Sequence, residues 1–285
     1  MSNIKILKKE GRFPGKRSVI IVGVHGNEIP GIAALDEIFP EIKIEWGEVI
    51  FIYANLEAIK QNRRYIENNL NRCFLKEQPP NITNSLEGKT ARDIMPYLDS
   101  ADIMLDLHSS NIKDSPPFII CDERQVNAAK LFESEFITYN WDIFEPGSTD
   151  NYMNLQNKPC FCFEAGFCLD ERSITRSKRA IIDFLIFAGN ISGKLKENNI
   201  CQVLKINSLY KNYNSSFIKK EYKPDFWRAE KEEIMGVEGD KEVKINKGEF
   251  ILFLKDCVAL KSECFLTAEE TLINDKNRQI IGDKK

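Results

Sequence analysis

The chain of 285 residues holds just two histidines and three tryptophans, and neither sign of charge dominates: 40 basic side chains face 43 acidic ones, for a net charge near −3. A balanced surface has no global field to draw in nucleic acid or an anionic membrane, so the expected ligand is not a polyanion. No apolar run approaches the roughly 18–20 residues needed to cross a bilayer. The opening stretch MSNIKILKKEGRFPGKRS lacks the apolar segment and small-residue cleavage site of a secretion signal. Eight cysteines are scattered along the chain, and no pair has the C-x-x-C spacing of a zinc ribbon or a dithiol redox site. These absences lead us to expect a cytoplasmic protein with free, mostly buried thiols.

Apolar runs alternate with helical patterns through the first 190 residues. Strands are expected at Ser18–Val24, Val49–Ala54, Asp102–Leu107, Phe118–Cys121 and Cys160–Phe163, on their β-branched and apolar content. Helical periodicity lies at Glu28–Phe39, Ala91–Leu98, Glu123–Phe132 and Glu171–Ala188. Strand, loop and helix at this spacing argue an α/β sandwich with a mixed or mostly parallel sheet. Asn68–Lys89, with Pro79-Pro80 and several asparagines, reads as a long loop of the kind that carries function. Beyond Gly193 the texture changes to short strands, expected at Cys201–Ile206, Glu249–Leu254 and Cys257–Leu260 and separated by charged stretches such as Arg228–Glu233. We therefore expect a large unit over residues 1–194, a small β-rich domain over residues 195–285, and a frayed polar tail from about Asp275.

Both histidines directly follow strand runs: His25 closes SVIIVGVH and His108 closes ADIMLDLH. In open α/β sheets ligands bind at the carboxyl ends of strands. Glu28, three residues after His25, can turn back toward the same point. Two histidines and a carboxylate, with a fourth position open, make a catalytic zinc set. Asp106 would orient the His108 imidazole, provided the strand runs on through His108. Taken alone, H-x-x-E is a common pattern, and a strand-end histidine is more often a satisfied polar group. Gly23 and Gly26 tilt the balance toward function, because glycine lets backbone approach a ligand closely.

Four motifs then occur in order: Gly23-Val24-His25-Gly26-Asn27-Glu28, Arg64-Tyr65-Ile66 with Leu70-Asn71-Arg72-Cys73-Phe74, Asp106-Leu107-His108, and Phe163-Glu164-Ala165-Gly166. Over residues 18–190 the chain resembles the succinylglutamate desuccinylase/aspartoacylase family of the zinc carboxypeptidase superfamily. The resemblance implies a zinc-carboxypeptidase-like mixed-sheet α/β sandwich, with a smaller C-terminal β-rich domain that narrows the mouth of the site. It implies one zinc ion per chain, held by His25, Glu28 and His108. It also implies Glu164 as general base, Arg64 as the group that stabilises the oxyanion, and Asn71 with Arg72 as the grip on a substrate carboxylate. Read without the family, Glu164 is a strand-end glutamate, and Arg63-Arg64 with Arg72 is a solvated cluster in a polar loop.

Gly147–Met153 is similar to the loop and short helix that line the specificity pocket of zinc carboxypeptidases, which places Tyr152 among the candidate substrate contacts. Two departures stand out. Aspartoacylases carry an arginine about ten residues before the base, where this chain has Met153-Asn154. Their C-terminal tyrosine has no counterpart in Asp256-Cys257-Val258-Ala259. Acetylaspartate is therefore a poor candidate substrate, with Arg172 or Arg176 as the other sources of a second positive charge. The leading expectation is a zinc amidohydrolase that deacylates a small N-acyl amino acid. The rivals are a zinc carboxypeptidase acting on a short or cell-wall peptide, and a non-catalytic module built on the same scaffold. Neither nucleic acid nor membrane is an expected partner, and homo-oligomerisation is left open.

Overall fold

The computed structural model describes residues 2–198 and 200–271. In chain order, β1 is Lys5–Glu10, β2 Phe13–Val22, α1 Ile29–Ile38, β3 Trp46–Tyr53, α2 Leu56–Lys60, α3 Pro80–Thr83, α4 Leu86–Ser100 and β4 Ile103–Ser110. There follow β5 Phe118–Ile120, α5 Val126–Ala129, β6 Phe136–Tyr139, α6 Thr149–Asn154, β7 Cys160–Phe167 and α7 Arg172–Ala188. The C-terminal part is all strand: β8 Gln202–Lys211, β9 Phe217–Lys219, β10 Trp227–Arg228, β11 Glu233–Glu238, β12 Lys241–Ile245, β13 Phe250–Leu252 and β14 Glu263–Glu270.

One mixed sheet takes the order β1-β3-β2-β4-β7-β5-β6-β8-β14-β13-β10, and a second, three-stranded sheet takes β12-β11-β9. Parallel pairing joins β3, β2, β4 and β7, which is why their apolar runs are continuous rather than alternating: both faces are covered. On β2, Ile20 and Val22 enter one core with Leu35 of α1 and Phe184 of α7. Val19 and Ile21, pointing the other way, enter a second core with Ile94 of α4 and Met153 of α6. That alternation decides where chemistry can sit. On β4, Ile103, Leu105 and Leu107 face the first core, so Asp106 and His108 share the opposite face with Met104. On β7 the same period gives Phe161, Phe163 and Ala165 to the first core and leaves Cys160, Cys162 and Glu164 on the other side.

The expected strands at Val49–Ala54, Asp102–Leu107, Phe118–Cys121 and Cys160–Phe163 correspond to β3, β4, β5 and β7 to within a few residues, and the expected α/β sandwich is the observed architecture. Several expectations need correction. The strand expected at Cys257–Leu260 is a single bridge between Phe217 and Cys257, after which the chain turns. The helix expected at Glu123–Phe132 breaks into a 3-10 turn, Glu123–Gln125, and the short α5. The long loop ends early because Ser85 caps α4, its hydroxyl accepting from Gly88 N at 3.0 Å. β1, β6, β11 and β12 are strands that short or charged segments conceal in the sequence. The tail from Asp275 lies outside the described residues. Parallel pairing of β6 with β8 carries the large sheet past residue 194 without interruption. A separate core there joins Phe118 and Trp141 to Leu204, Phe250 and Leu266.

Candidate active site

β2 ends at Val22 and the chain reverses through Gly23, whose φ of +71° suits glycine and few other residues. A Cβ on Gly26 would lie 2.1 Å from the Ala58 backbone, so that position also excludes a side chain. The tight turn is closed by Glu28 N donating to His25 O at 3.2 Å, and Gly26 N donates to Arg64 O at 3.3 Å. His25 and Glu28 are thereby aimed back across the end of β2. His108 arrives from β4, which does continue through it. All three are buried, and one ligand atom from each lies within 4.8 Å of the others.

The hydrogen-bonding pattern shows what this trio suits. His25 Nε2 lies 3.0 Å from Asn69 Oδ1, so Nε2 carries the proton and Nδ1 offers a lone pair. That Nδ1 is buried, sits 2.7 Å from Glu28 Oε1 outside hydrogen-bond geometry, and has no other partner among the described residues. His108 Nδ1 lies 2.9 Å from Glu28 Oε2, while its Nε2 is 3.1 Å from Asp106 Oδ2. Asp106 is itself held by the Thr149 hydroxyl. Two inward imidazole nitrogens and a carboxylate, with the outer nitrogens facing oxygen acceptors, match the donor chemistry of a zinc site. Glu28 is further fixed by Ser109 N at 3.2 Å and Arg64 Nη1 at 2.9 Å.

Charges divide sharply within this small volume. Burial drives the His25 imidazole down to about 4, with the Arg64 guanidinium adding to the effect. Burial also opposes charge on His108, but the Asp106 and Glu28 carboxylates outweigh it and hold that imidazole well above its ordinary value. Glu28, despite its burial, is held well below the usual carboxylate range by the two histidines. Glu164 pairs in register with His108 across β4 and β7. Burial, followed by the charge of Glu28, pushes it up to about 8, and its Oε2 has no partner among the described residues. A carboxyl tuned toward neutrality beside three residues able to hold a metal ion is an arrangement suited to hydrolytic chemistry.

A cavity of about 460 Å³ opens onto these groups and includes His25, Glu28, His108, Glu164, Arg64, Asn71 and Arg72 in its lining. Arg64, Asn69, Asn71 and Arg72 ride on one loop, which the buried Glu87 organises from the first turn of α4. Glu87 accepts from the backbone N–H groups of Ile66 at 2.7 Å, Glu67 at 3.2 Å and Asn68 at 3.0 Å. Each bond to a charged acceptor contributes about 1.5–3 kcal/mol. Arg72 is not a free fork: its Nη2 is 2.7 Å from Glu145 Oε1 and 3.9 Å from Glu263 Oε2, and Nη1 donates to Asn71 O at 2.8 Å.

Tyr152 is the exception among the expected site residues. It packs in the second core, its hydroxyl donates to Asp99 Oδ1 at 2.8 Å, and it does not reach the cavity. Helical phase is the reason: two residues earlier in the same α6, on the opposite side of the helix, Asp150 reaches the wall that Tyr152 was expected to line. Arg172 and Arg176 pair with Asp170 and do not line the cavity either, so neither supplies the second positive charge. The sequence reading missed Asn69, Glu87, Glu145, Asp150, Cys162 and Glu263. Asn69 had a local signal, as the N-cap of a 3-10 turn whose side chain accepts from Asn71 N. The others reach their places only through tertiary packing.

Comparison with known proteins gives a consistent picture. Residues 14–188 match the family described as the succinylglutamate desuccinylase/aspartoacylase catalytic domain. A probable aspartoacylase of Nostoc is 30% identical over 167 residues, 53% of this chain and 55% of that protein. The N-alpha-acetyl-L-2,4-diaminobutyric acid deacetylase of Halomonas elongata is 26% identical over 202 residues, 65% of this chain and 58% of the relative. The chain thus spans little more than half the length of these curated relatives. Among solved structures, the succinylglutamate desuccinylase of Vibrio cholerae superposes with a TM-score of 0.76 at 20% identity, covering 95% of this chain and 87% of that one, a likeness of fold. With the family match covering well over half its length, the chain belongs to the succinylglutamate desuccinylase/aspartoacylase family.

Proposed function

We propose that the protein is a zinc-dependent amidohydrolase that removes the acyl group from an N-acyl amino acid. The observation that carries this reading is the opening of the His25–Glu28–His108 cluster into the same cavity as Glu164 and Arg64. One zinc ion held by those three residues would polarise the scissile carbonyl and activate water. Glu164, half-buried and with its Oε2 out of solvent and short of a hydrogen-bond partner among the described residues, takes the proton of the attacking water and returns it to the departing amine nitrogen. Arg64, already aligned by Glu28, offers its remaining N–H groups to the oxyanion of the tetrahedral intermediate. Collapse of that intermediate breaks the C–N bond and leaves a free carboxylate and a free amino acid. Asn71 and Arg72 line the same cavity, and in this reading they receive the substrate carboxylate, with Arg72 shared between that anion and Glu145.

The relatives support the substrate type: a probable aspartoacylase, an N-acetyl-diaminobutyrate deacetylase and a succinylglutamate desuccinylase are all named for acylated amino acids or their deacylation. We place the reaction in a reducing compartment, supported by eight free cysteines, most of them buried. No helix among the described residues is long and apolar enough to cross a membrane. The test is release of free amine from a panel of N-acyl amino acids and dipeptides, with zinc content measured on the same sample. Turnover of acyl amino acids at one zinc per chain is expected. Turnover confined to dipeptides would identify a carboxypeptidase instead.

A further inference from the structure

Phe253 faces the cavity from beyond the end of β13 and adopts a left-handed backbone, φ +59°. A bulky residue in that region is strained and persists only where its surroundings overdetermine it. Here they do. The buried Asp225 carboxylate accepts from Phe253 N at 2.7 Å. Asp225 is in turn anchored by its neighbour Phe226, also left-handed at φ +64°, whose ring stacks on Phe136 at 4.1 Å and packs edge-on to Phe118 at 5.0 Å. The Phe253 ring is wedged against Trp141 at 6.1 Å and Phe118 at 6.2 Å between ring centres. Together with Trp141, Leu209, Ile120 and Leu266, it makes one wall of the cavity apolar. Maintaining two strained aromatic residues so that one ring faces the cavity is costly for a wall that serves packing alone.

Charge around this wall points the same way. Arg72 is already paired with Glu145, Glu263 lies beside it, and the buried Asp150 adds a further carboxylate to the lining. Lys255 adds an amino group to the lining beside Phe253, so Arg72 and Lys255 stand against the three carboxylic side chains of Glu145, Glu263 and Asp150. An acidic substrate side chain would add to that excess of acidic groups, whereas an aliphatic or aromatic one would be desolvated by the aromatic wall.

Resting on the deacylase reading above, we infer that Phe253 is a specificity-determining residue and that the cavity accepts N-acyl amino acids with apolar side chains, Asp225 being the positioning residue that presents the ring. The experiment compares zinc-loaded enzyme on N-acetyl-phenylalanine, N-acetyl-leucine, N-acetylglycine, N-acetylaspartate and Nα-acetyl-2,4-diaminobutyrate. Apolar side chains are expected to exceed glycine and aspartate in kcat/KM by about 10–200-fold, the range that a hydrophobic pocket supplies. Phe253→Gly is the decisive variant, because glycine accepts the left-handed backbone without strain and removes only the ring. It should lower the phenylalanine-to-glycine ratio at least tenfold, mainly through KM. Asp225→Ala should lower the same ratio, and Asp225→Asn, which retains an oxygen acceptor for Phe253 N, should restore it. Calorimetric binding of N-acetyl-phenylalanine to the Glu164→Gln protein reads the subsite without turnover. Binding there that Phe253→Gly abolishes supports the subsite even if the panel is not hydrolysed, in which case the deacylase reading alone fails. Absence of binding, an unmoved ratio in Phe253→Gly, or preference for aspartate or the diamino acid overturns the inference.

Discussion

The two sides of the cavity are built in different ways. The metal side comes from the ends of three neighbouring parallel strands, β2, β4 and β7, with a glycine turn to swing Glu28 into place. Its members touch through short sequence motifs and strict strand register. The opposite wall draws Trp141 and Glu145 from the loop before α6, and Leu209, Phe253, Glu263 and Leu266 from the C-terminal strands. Its contacts, such as Leu209 with Leu266 and Trp141 with Phe253, rest on C-terminal strands and irregular segments rather than on one run of parallel strand ends. In the proposed reaction, the groups that tolerate little change in geometry sit on rigid strand ends, and the wall proposed to select the substrate lies where loops can vary without disturbing them.

The largest effect should follow from removing one side altogether. Residues 1–194 expressed alone lose Leu204, Phe250 and Leu266 from around Phe118 and Trp141 and leave β6 without its partner β8. Each large apolar side chain returned to water costs about 1.5–3 kcal/mol, so no cooperative thermal transition is expected. A cooperative melt with zinc still bound would show that the catalytic side folds by itself.

Next comes the metal side. His108→Ala or His25→Ala removes one of two imidazoles from a chain that has no others, so stoichiometric zinc should be lost and activity should fall to background. One zinc per chain in both purified variants, by elemental analysis, would break the assignment. Glu164→Gln keeps shape but cannot shuttle a proton. It should retain zinc and lose about 10²–10⁴-fold in kcat. Turnover within a few-fold of the parent enzyme would remove Glu164 from the reaction.

The smallest expected effect sharpens the electrostatic contrast. On the cavity side, burial and then Asp142 push Asp150 up to about 6. A carboxyl raised on folding contributes its full stability below its unfolded value near 3.8 and loses it as pH rises through 6. In the C-terminal part, Glu238 is drawn down to about 2, first by the Tyr210 hydroxyl and then by the N–H of Asn214. Its contribution is present above the ordinary value of 4.5 and is lost as pH falls toward 2. Thermal melts should therefore show Asp150→Asn flattening the decline between about pH 4 and 6, and Glu238→Gln flattening the decline below pH 4.5. Parallel pH profiles for parent and variants would remove the contrast.

The strand ends, the glycine turn and the order of the four motifs were readable because each depends on neighbours in the chain: parallel strands buried on both faces need unbroken apolar runs, and a reversal at φ +71° calls for glycine. His25, Glu28, His108, Glu164 and Arg64 could be named as one site on that basis, and they do share one cavity. Tyr152 was misplaced because a helix of six residues offers no periodicity from which to tell its buried face from its cavity face, and the phase was set by Asp99 and the second core. Glu87 was unreadable because its task is to gather backbone N–H groups some twenty residues away. The wall formed by Trp141, Leu209 and Phe253 exists only once β8 and β14 join the large sheet and Asp225 meets the Phe253 amide. The sequence by itself brought His25, Glu28 and His108 to neighbouring strand ends, because strand runs and a glycine turn are written locally, and through the family resemblance it nominated Glu164 and Arg64 for the chemistry. The tertiary structure decided what shape of substrate that chemistry is offered, because a cavity wall is a product of long-range packing.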